Sequence, residues 1–178
     1  LLEAVVKMLK EPLLHFLLAG GLLFAAFAWL NPGEDDQRTL RITSAEIRER
    51  KGAEAIVALT AYHAHTARIA DPYVDFLLVG DSLGMTMLGF DSTLPVTMDD
   101  MIRHASAVRR GAPTAFVVGD MPYMTYQPGN EIAVKNAGRF MAEGACDAVK
   151  LECGAEMADR MAGIVRSGIP CMGHLGLT

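Results

Sequence analysis

Three carboxylates stand where apolar, β-branched runs give way to loops: Asp81 after FLLVG, Asp120 after AFVVG and Glu152 after DAVKL. They fall roughly 30 to 40 residues apart, close to one βα unit of an eight-fold barrel of about 250 residues. Strand ends spaced in this way gather hard oxygen donors at one mouth, a set that suits Mg2+ better than zinc. Lys150 lies two residues before Glu152, so on a strand the two share a face and both point inward. A charged pair inside a barrel is costly unless it binds something, and an internal salt bridge of Lys150 with Glu152 or a neighbouring Asp is the plainer alternative. Ser82, next to Asp81, can donate a hydrogen bond to a substrate carboxylate, and Lys150 can neutralise that carboxylate or a forming enolate. Asp or Ser after a strand also serves as an ordinary helix cap, so Asp81 alone carries little weight and the three acids in phase carry the argument.

The elements that must position these groups alternate regularly. Strand-like runs cover Ile56–Thr60, Phe76–Val79, Ala115–Val118, Ala148–Leu151 and Pro170–Gly173. Helical patterns lie between them, near His65–Ala70, Met98–Arg110, Glu131–Glu143 and Glu156–Arg166. Ser44 is expected to cap a short helix ended by Gly52, Thr97 with Asp100 to form a capping box, Gly111 to stop that helix, and Asn130 and Gly144 to bound the next. Strands this apolar, separated by helices, predict a parallel sheet buried on both faces. The fold class is therefore α/β, a partial (β/α)8 barrel of about five parallel strands, preceded by an apolar N-terminal helix. Function in such a fold belongs to the loops at the carboxyl ends of the strands, where His174 also falls. His174 either lines the pocket or is a hydrogen-bonded structural histidine; His63 and His65, on a turn entering a helix, read as surface residues.

With 178 residues and 51% hydrophobic residues the chain can bury one core, yet it is shorter than a whole barrel. A net charge of −5 and scattered basic residues give no support for a nucleic-acid partner. Cys146, Cys153 and Cys171 form an odd set without metal-ligand spacing, which suits a reducing, cytoplasmic setting for the barrel. Residues 1–37 differ in character from residues 38–178 and are read as a separate apolar segment with a linker. From Leu13 to Leu30 a single ionisable residue, His15, interrupts the apolar run, which is about the minimum length of a membrane span. Lys7 and Lys10 before it and Glu34, Asp35 and Asp36 after it orient such an anchor with its N-terminus inside. A signal peptide cleaved near Ala26-Phe27-Ala28 and a buried core helix are the alternatives. The sequence starts at Leu1 rather than Met and stops at Gly176-Leu177-Thr178, inside what should be a loop, so it reads as cut at both ends.

The strings TAY from Thr60, VGDSLGM from Val79, DSTLPVT from Asp91, VKLE from Val149 and GHLGLT from Gly173 resemble, in collinear order, the ketopantoate (3-methyl-2-oxobutanoate) hydroxymethyltransferase family. The resemblance runs from about Arg38 to Thr178. Over residues 1–37, KEPLLHFLLAGGLLFA is similar to the N-terminal anchor of periplasmic parvulin-type peptidyl-prolyl isomerases, although no isomerase domain follows. The transferase resemblance implies a (β/α)8 barrel of the phosphoenolpyruvate-utilising kind, Mg2+ dependence and homo-oligomers. It implies Asp81, Asp120 and Glu152 as the metal site, with Asp81, Ser82, Asp120 and Lys150 binding the oxo acid. The family's proton-accepting Glu falls beyond Thr178, so no catalytic base is assigned here, and the chain alone is expected to be weak or inactive. Cys153 is a departure, since the family usually has glycine after the metal-site Glu.

The implied reaction transfers a hydroxymethyl group from 5,10-methylenetetrahydrofolate, as co-substrate, to 3-methyl-2-oxobutanoate, giving 2-dehydropantoate on the way to pantothenate. Gly80, Gly84 and Gly89 read as turn glycines, and no Walker-type phosphate loop is found. The rivals are another Mg2+ barrel, a C–C lyase or phosphonomutase, against which DSTLPVT argues, and a non-catalytic fragment tethered to a membrane through Leu13 to Leu30. A fused reading frame accounts for an anchor joined to a cytoplasmic barrel better than export of the transferase does.

Overall fold

A computed structural model of the chain describes residues 21, 26, 43–50, 52–53, 55–152 and 154–175. The chain divides into two units, Leu1–Gln37 and Arg38–Thr178, and every element named below belongs to the second. The apolar run from Leu13 to Leu30, apart from Gly21 and Ala26, lies outside the described residues, as does Cys153. Among the described residues no helix is long and apolar enough to cross a membrane.

Five strands, β1 (Ala58–Thr60), β2 (Phe76–Val79), β3 (Phe116–Asp120), β4 (Ala148–Glu152) and β5 (Cys171–His174), form one sheet in the order β1-β2-β3-β4-β5. All four pairings are parallel. Strictly sequential order is the pattern of a (β/α) barrel; a doubly wound sheet reverses its order at a switch point. The helices are α1 (Ser44–Glu49), α2 (Ala64–Ala70), α3 (Leu83–Thr86), α4 (Met98–Gly111), α5 (Asn130–Ala142) and α6 (Ala158–Arg166).

The two faces of the sheet follow residue parity, as successive side chains on a strand point to opposite sides. Leu77, Val79, Val117, Val149 and Leu151 belong to a buried core that also holds Ala67, Met101, Ala105, Val108, Ala137, Phe140 and Ile164 of the helices. Each fully buried Leu or Val there contributes about 1.5–3 kcal/mol. On α4 the buried residues Met98, Met101, Ile102, Ala105 and Val108 recur at three- and four-residue intervals, the stripe a helix needs to seat on a sheet. The opposite face carries a smaller cluster of Phe116, Val118 and Ala148, with Phe76, Leu78, Met172 and Ile47 of α1 packed against it. Asp120, Lys150, Glu152 and His174 continue that second row at the carboxyl ends of their strands.

Local signals hold in part. Thr97 caps α4 and forms the expected box with Asp100. At α1 the cap is Thr43 rather than Ser44, because Thr43 adopts the extended backbone and exchanges bonds with Glu46 three residues on. Gly129 precedes α5, so Asn130 is its first helical residue, and its side chain accepts from Arg160 instead of capping. The helix ends at Ala142, short of Gly144. Gly111 is the last residue of α4 and is required for packing as well: a Cβ there would lie 2.1 Å from the carbonyl oxygen of Ala64.

Two glycines give opposed expectations. A Cβ on Gly119 would meet the ring of the fully buried Phe140 at 2.3 Å, with Cys146 Sγ at 3.1 Å. Gly119→Ala is expected to cost about 2 kcal/mol or more by overpacking. Gly138, inside α5, has nothing within 4 Å of its Cβ position, so Gly138→Ala is expected to stabilise by about 0.5–1 kcal/mol. Urea midpoints of the two variants on opposite sides of the parent check both; a shift of the same sign refutes the packing account.

Candidate functional site

The row of Phe116, Val118 and Ala148 ends in charge. Asp120 is 4% exposed and, among the described residues, is the buried charged one. It is the register partner of Lys150 on β4, and Lys150 Nζ donates to its Oδ2 at 2.5 Å. Burial pushes the Asp120 carboxyl up to about 6; Lys150 and, more weakly, the main-chain N–H of Asp81 pull it down, while the Asp81 charge raises it. A carboxylic acid held this far from water is retained where its charge has a use.

Asp81 follows β2 in a turn, where burial raises its pKa, Lys150 lowers it and the Glu152 charge raises it again. The hydroxyl of Thr93 and the N–H of Ser82 hydrogen-bond the same carboxylate. Asp81 thus feels the charges of Lys150 and Glu152, and Asp120 those of Lys150 and Asp81. Glu152, at the end of β4, is half-exposed and lies beside its register partner His174, Oε1 to Nδ1 3.3 Å. Among the described residues no group of three His, Cys, Asp or Glu side chains is poised to hold a metal ion. Lys150 covers one oxygen of Asp120, and Glu152 is turned to His174. Mg2+ is bound through one or two carboxylates with retained waters and substrate oxygens. The all-oxygen donors and surplus negative charge of Asp81 and Asp120 fit such an ion, with Glu152 beside them.

Ser82 does not cap α3: no side-chain cap hydrogen bond is made there. Its Oγ is instead 2.8 Å from the hydroxyl of Tyr62, a residue of the loop after β1. The site thus includes three residues to which the sequence reading gave no role. Tyr62 and Thr93 lie inside the strings TAY and DSTLPVT, so the signal was present without a role attached. Tyr126 left no signal: it is buried and its hydroxyl donates to the Glu152 carbonyl at 2.7 Å, across 26 residues of sequence. The loop that carries Tyr126 is fixed by Thr125 Oγ1 donating to the Pro122 carbonyl and Asn136 donating to that of Thr125, and it includes Met124 at φ +64°. His63 caps α2, accepting from the Thr66 N–H, and stacks on His65 at the exposed surface. Cys146 is buried and its thiol is pushed up to about 12 by desolvation, so it is no nucleophile.

Comparison with known proteins gives one answer. Residues 41–178 match the profile of the ketopantoate hydroxymethyltransferase family. The 3-methyl-2-oxobutanoate hydroxymethyltransferase of Bartonella quintana (strain Toulouse) is 58% identical over 142 residues, covering 80% of this chain and 52% of that protein. That of Parvibaculum lavamentivorans is 59% identical over 138 residues, covering 78% and 50%. The chain spans about half the length of the curated relatives it matches. Among solved structures, a 2,3-dimethylmalate lyase of the PEP mutase/isocitrate lyase superfamily aligns with a TM-score of 0.53 at 16% identity, over 74% of this chain and 52% of that one. An oxaloacetate acetylhydrolase aligns with a TM-score of 0.54 at 13% identity, over 74% and 52%. At such identities these structures speak for the fold alone.

Proposed function

The chain belongs to the ketopantoate hydroxymethyltransferase family, and from that premise we propose that its carboxylate mouth binds Mg2+ and 3-methyl-2-oxobutanoate for hydroxymethyl transfer from 5,10-methylenetetrahydrofolate, giving 2-dehydropantoate. Residues 38–178 are, in this reading, the part of the barrel that holds the metal and the oxo acid. The observation that carries it is the buried Asp120, paired with Lys150 and within electrostatic reach of Asp81.

Asp81 and Asp120 would hold the cation, with Glu152 beside it. The ion would supply Lewis acidity at the 2-oxo group and so acidify the neighbouring C–H. The protein's own groups do the rest. Ser82 donates to the substrate carboxylate, and Lys150 offers a charge-assisted hydrogen bond to the oxygen on which negative charge develops. The apolar row of Phe116, Val118 and Ala148 precedes these groups on the same face of the sheet.

Titration calorimetry with 3-methyl-2-oxobutanoate tests this directly. Binding that requires Mg2+ and is abolished by a chelator is expected. Indifference to the metal, or tighter binding of isocitrate or oxaloacetate than of the branched oxo acid, refutes the assignment.

A further inference from the structure

We propose that Tyr62 is a positioning residue of the oxo-acid site, acting through Ser82 and held in place by His104. The inference rests on the reading of Ser82 as a substrate donor. Tyr62 is half-buried, and its hydroxyl is 2.8 Å from Ser82 Oγ. Its main-chain carbonyl faces His104 Nδ1 of α4 at 2.5 Å. A carbonyl can only accept, so Nδ1 carries the proton in that contact.

The direction of the Tyr62–Ser82 bond follows from chemistry. A phenol is more acidic than an alkyl hydroxyl, so the phenolic O–H donates and Ser82 Oγ accepts. The serine proton is then free to point at an anion, and a hydroxyl that accepts one hydrogen bond donates the next more strongly. Ser82 has no competing duty, because it leaves the N-terminus of α3 uncapped. It lies close to Gly80: a Cβ on that residue would be 2.9 Å from Ser82 Oγ and 3.9 Å from Asp120 Oδ2. The serine hydroxyl therefore sits over a glycine, beside the buried carboxylate. Phe at position 62 would leave Ser82 Oγ without this donor and free to take other rotamers.

The test is a double-mutant cycle on the 178-residue chain, read as the Kd of 3-methyl-2-oxobutanoate in the presence of Mg2+. Ser82→Ala is expected to weaken binding about 10-fold and Tyr62→Phe about 3- to 10-fold. The double variant is expected to bind no worse than Ser82→Ala, since the tyrosine acts only through the serine. His104→Leu should reproduce the Tyr62→Phe loss. His104→Asn, whose amide can donate from nearly the same place, should restore binding. Additive losses in the cycle, or a Tyr62→Phe chain that binds as the parent does, overturn the proposal while leaving the oxo-acid reading intact. Equal Kd for parent and Ser82→Ala removes the oxo-acid role of Ser82 and this inference with it. A purely structural tyrosine would shift the melting temperature in both serine backgrounds and leave the Kd unchanged.

Discussion

Asp120→Asn is expected to abolish Mg2+-dependent binding of the oxo acid, a loss of roughly 100- to 1000-fold. The substitution removes one of two carboxylates in the Asp81–Asp120 pair, so the cation would lose a charged ligand; 100- to 1000-fold corresponds to about 3–4 kcal/mol of binding free energy. The same variant should show an opposite effect on stability when metal is absent. Burial raises the folded-state carboxyl of Asp120 to about 6, above its unfolded value, so the native state holds this proton more tightly than the unfolded chain. Its contribution is then fully present below about pH 4 and is lost as pH rises to about 6. Relative to Asp120→Asn, the parent should lose on the order of 2–3 kcal/mol across that window. Saturating Mg2+ should restore the parent and not the variant, because a ligand stabilises only the form that binds it. Denaturation at several pH values, with and without Mg2+, checks the sign; a parent that gains on the variant between pH 4 and 6 contradicts it.

Arg109→Ala should destabilise the chain by about 3–4 kcal/mol, against a total of about 5–15 kcal/mol for an ordinary domain. Arg109 leaves the last turn of α4 and joins three segments at the amino-terminal end of the sheet. Its Nε donates to the Ala145 carbonyl, and its Nη1 to those of Ala112 and Ala115. Nη2 pairs with Asp147, whose carboxylate also accepts the Val117 N–H of β3. Ala145 has φ +52°, so the turn into β4 is held in a conformation that a non-glycine residue adopts at a cost. Losing the guanidinium leaves three carbonyls and a half-buried carboxylate to find water. Arg109→Lys keeps the charge and cannot fork, so it should recover only part of the loss. Arg110 is exposed and bonds Ser106 on its own helix, so Arg110→Ala should stay within about 0.5 kcal/mol. Equal urea midpoints for the two alanine variants would refute this assignment.

The sequence alone was enough for the architecture. The five apolar runs became the five strands with boundaries shifted by two residues at most, as at β1 and β3, because β-branched runs between turn residues have few other conformations open to them. Alternation along β4 placed Lys150 and Glu152 on one face before any contact was known, whereas Asp120 was expected just past the end of its strand and is its last residue. Helix caps were less legible: Thr43 and Ser44 are both good caps, and only the backbone angles chose between them.

What tertiary structure decided was the pairing. Lys150 could have met either Glu152 or an aspartate, and the parallel register of β3 with β4 set it beside Asp120, leaving Glu152 beside His174. Tyr62 reaches Ser82, and Tyr126 reaches the Glu152 carbonyl, across 20 and 26 residues. Alternation and helical spacing are set by neighbours in the chain and can be read along it. A hydrogen bond between distant side chains depends on sheet register and on how helices seat against the sheet, which are fixed only when the whole core packs.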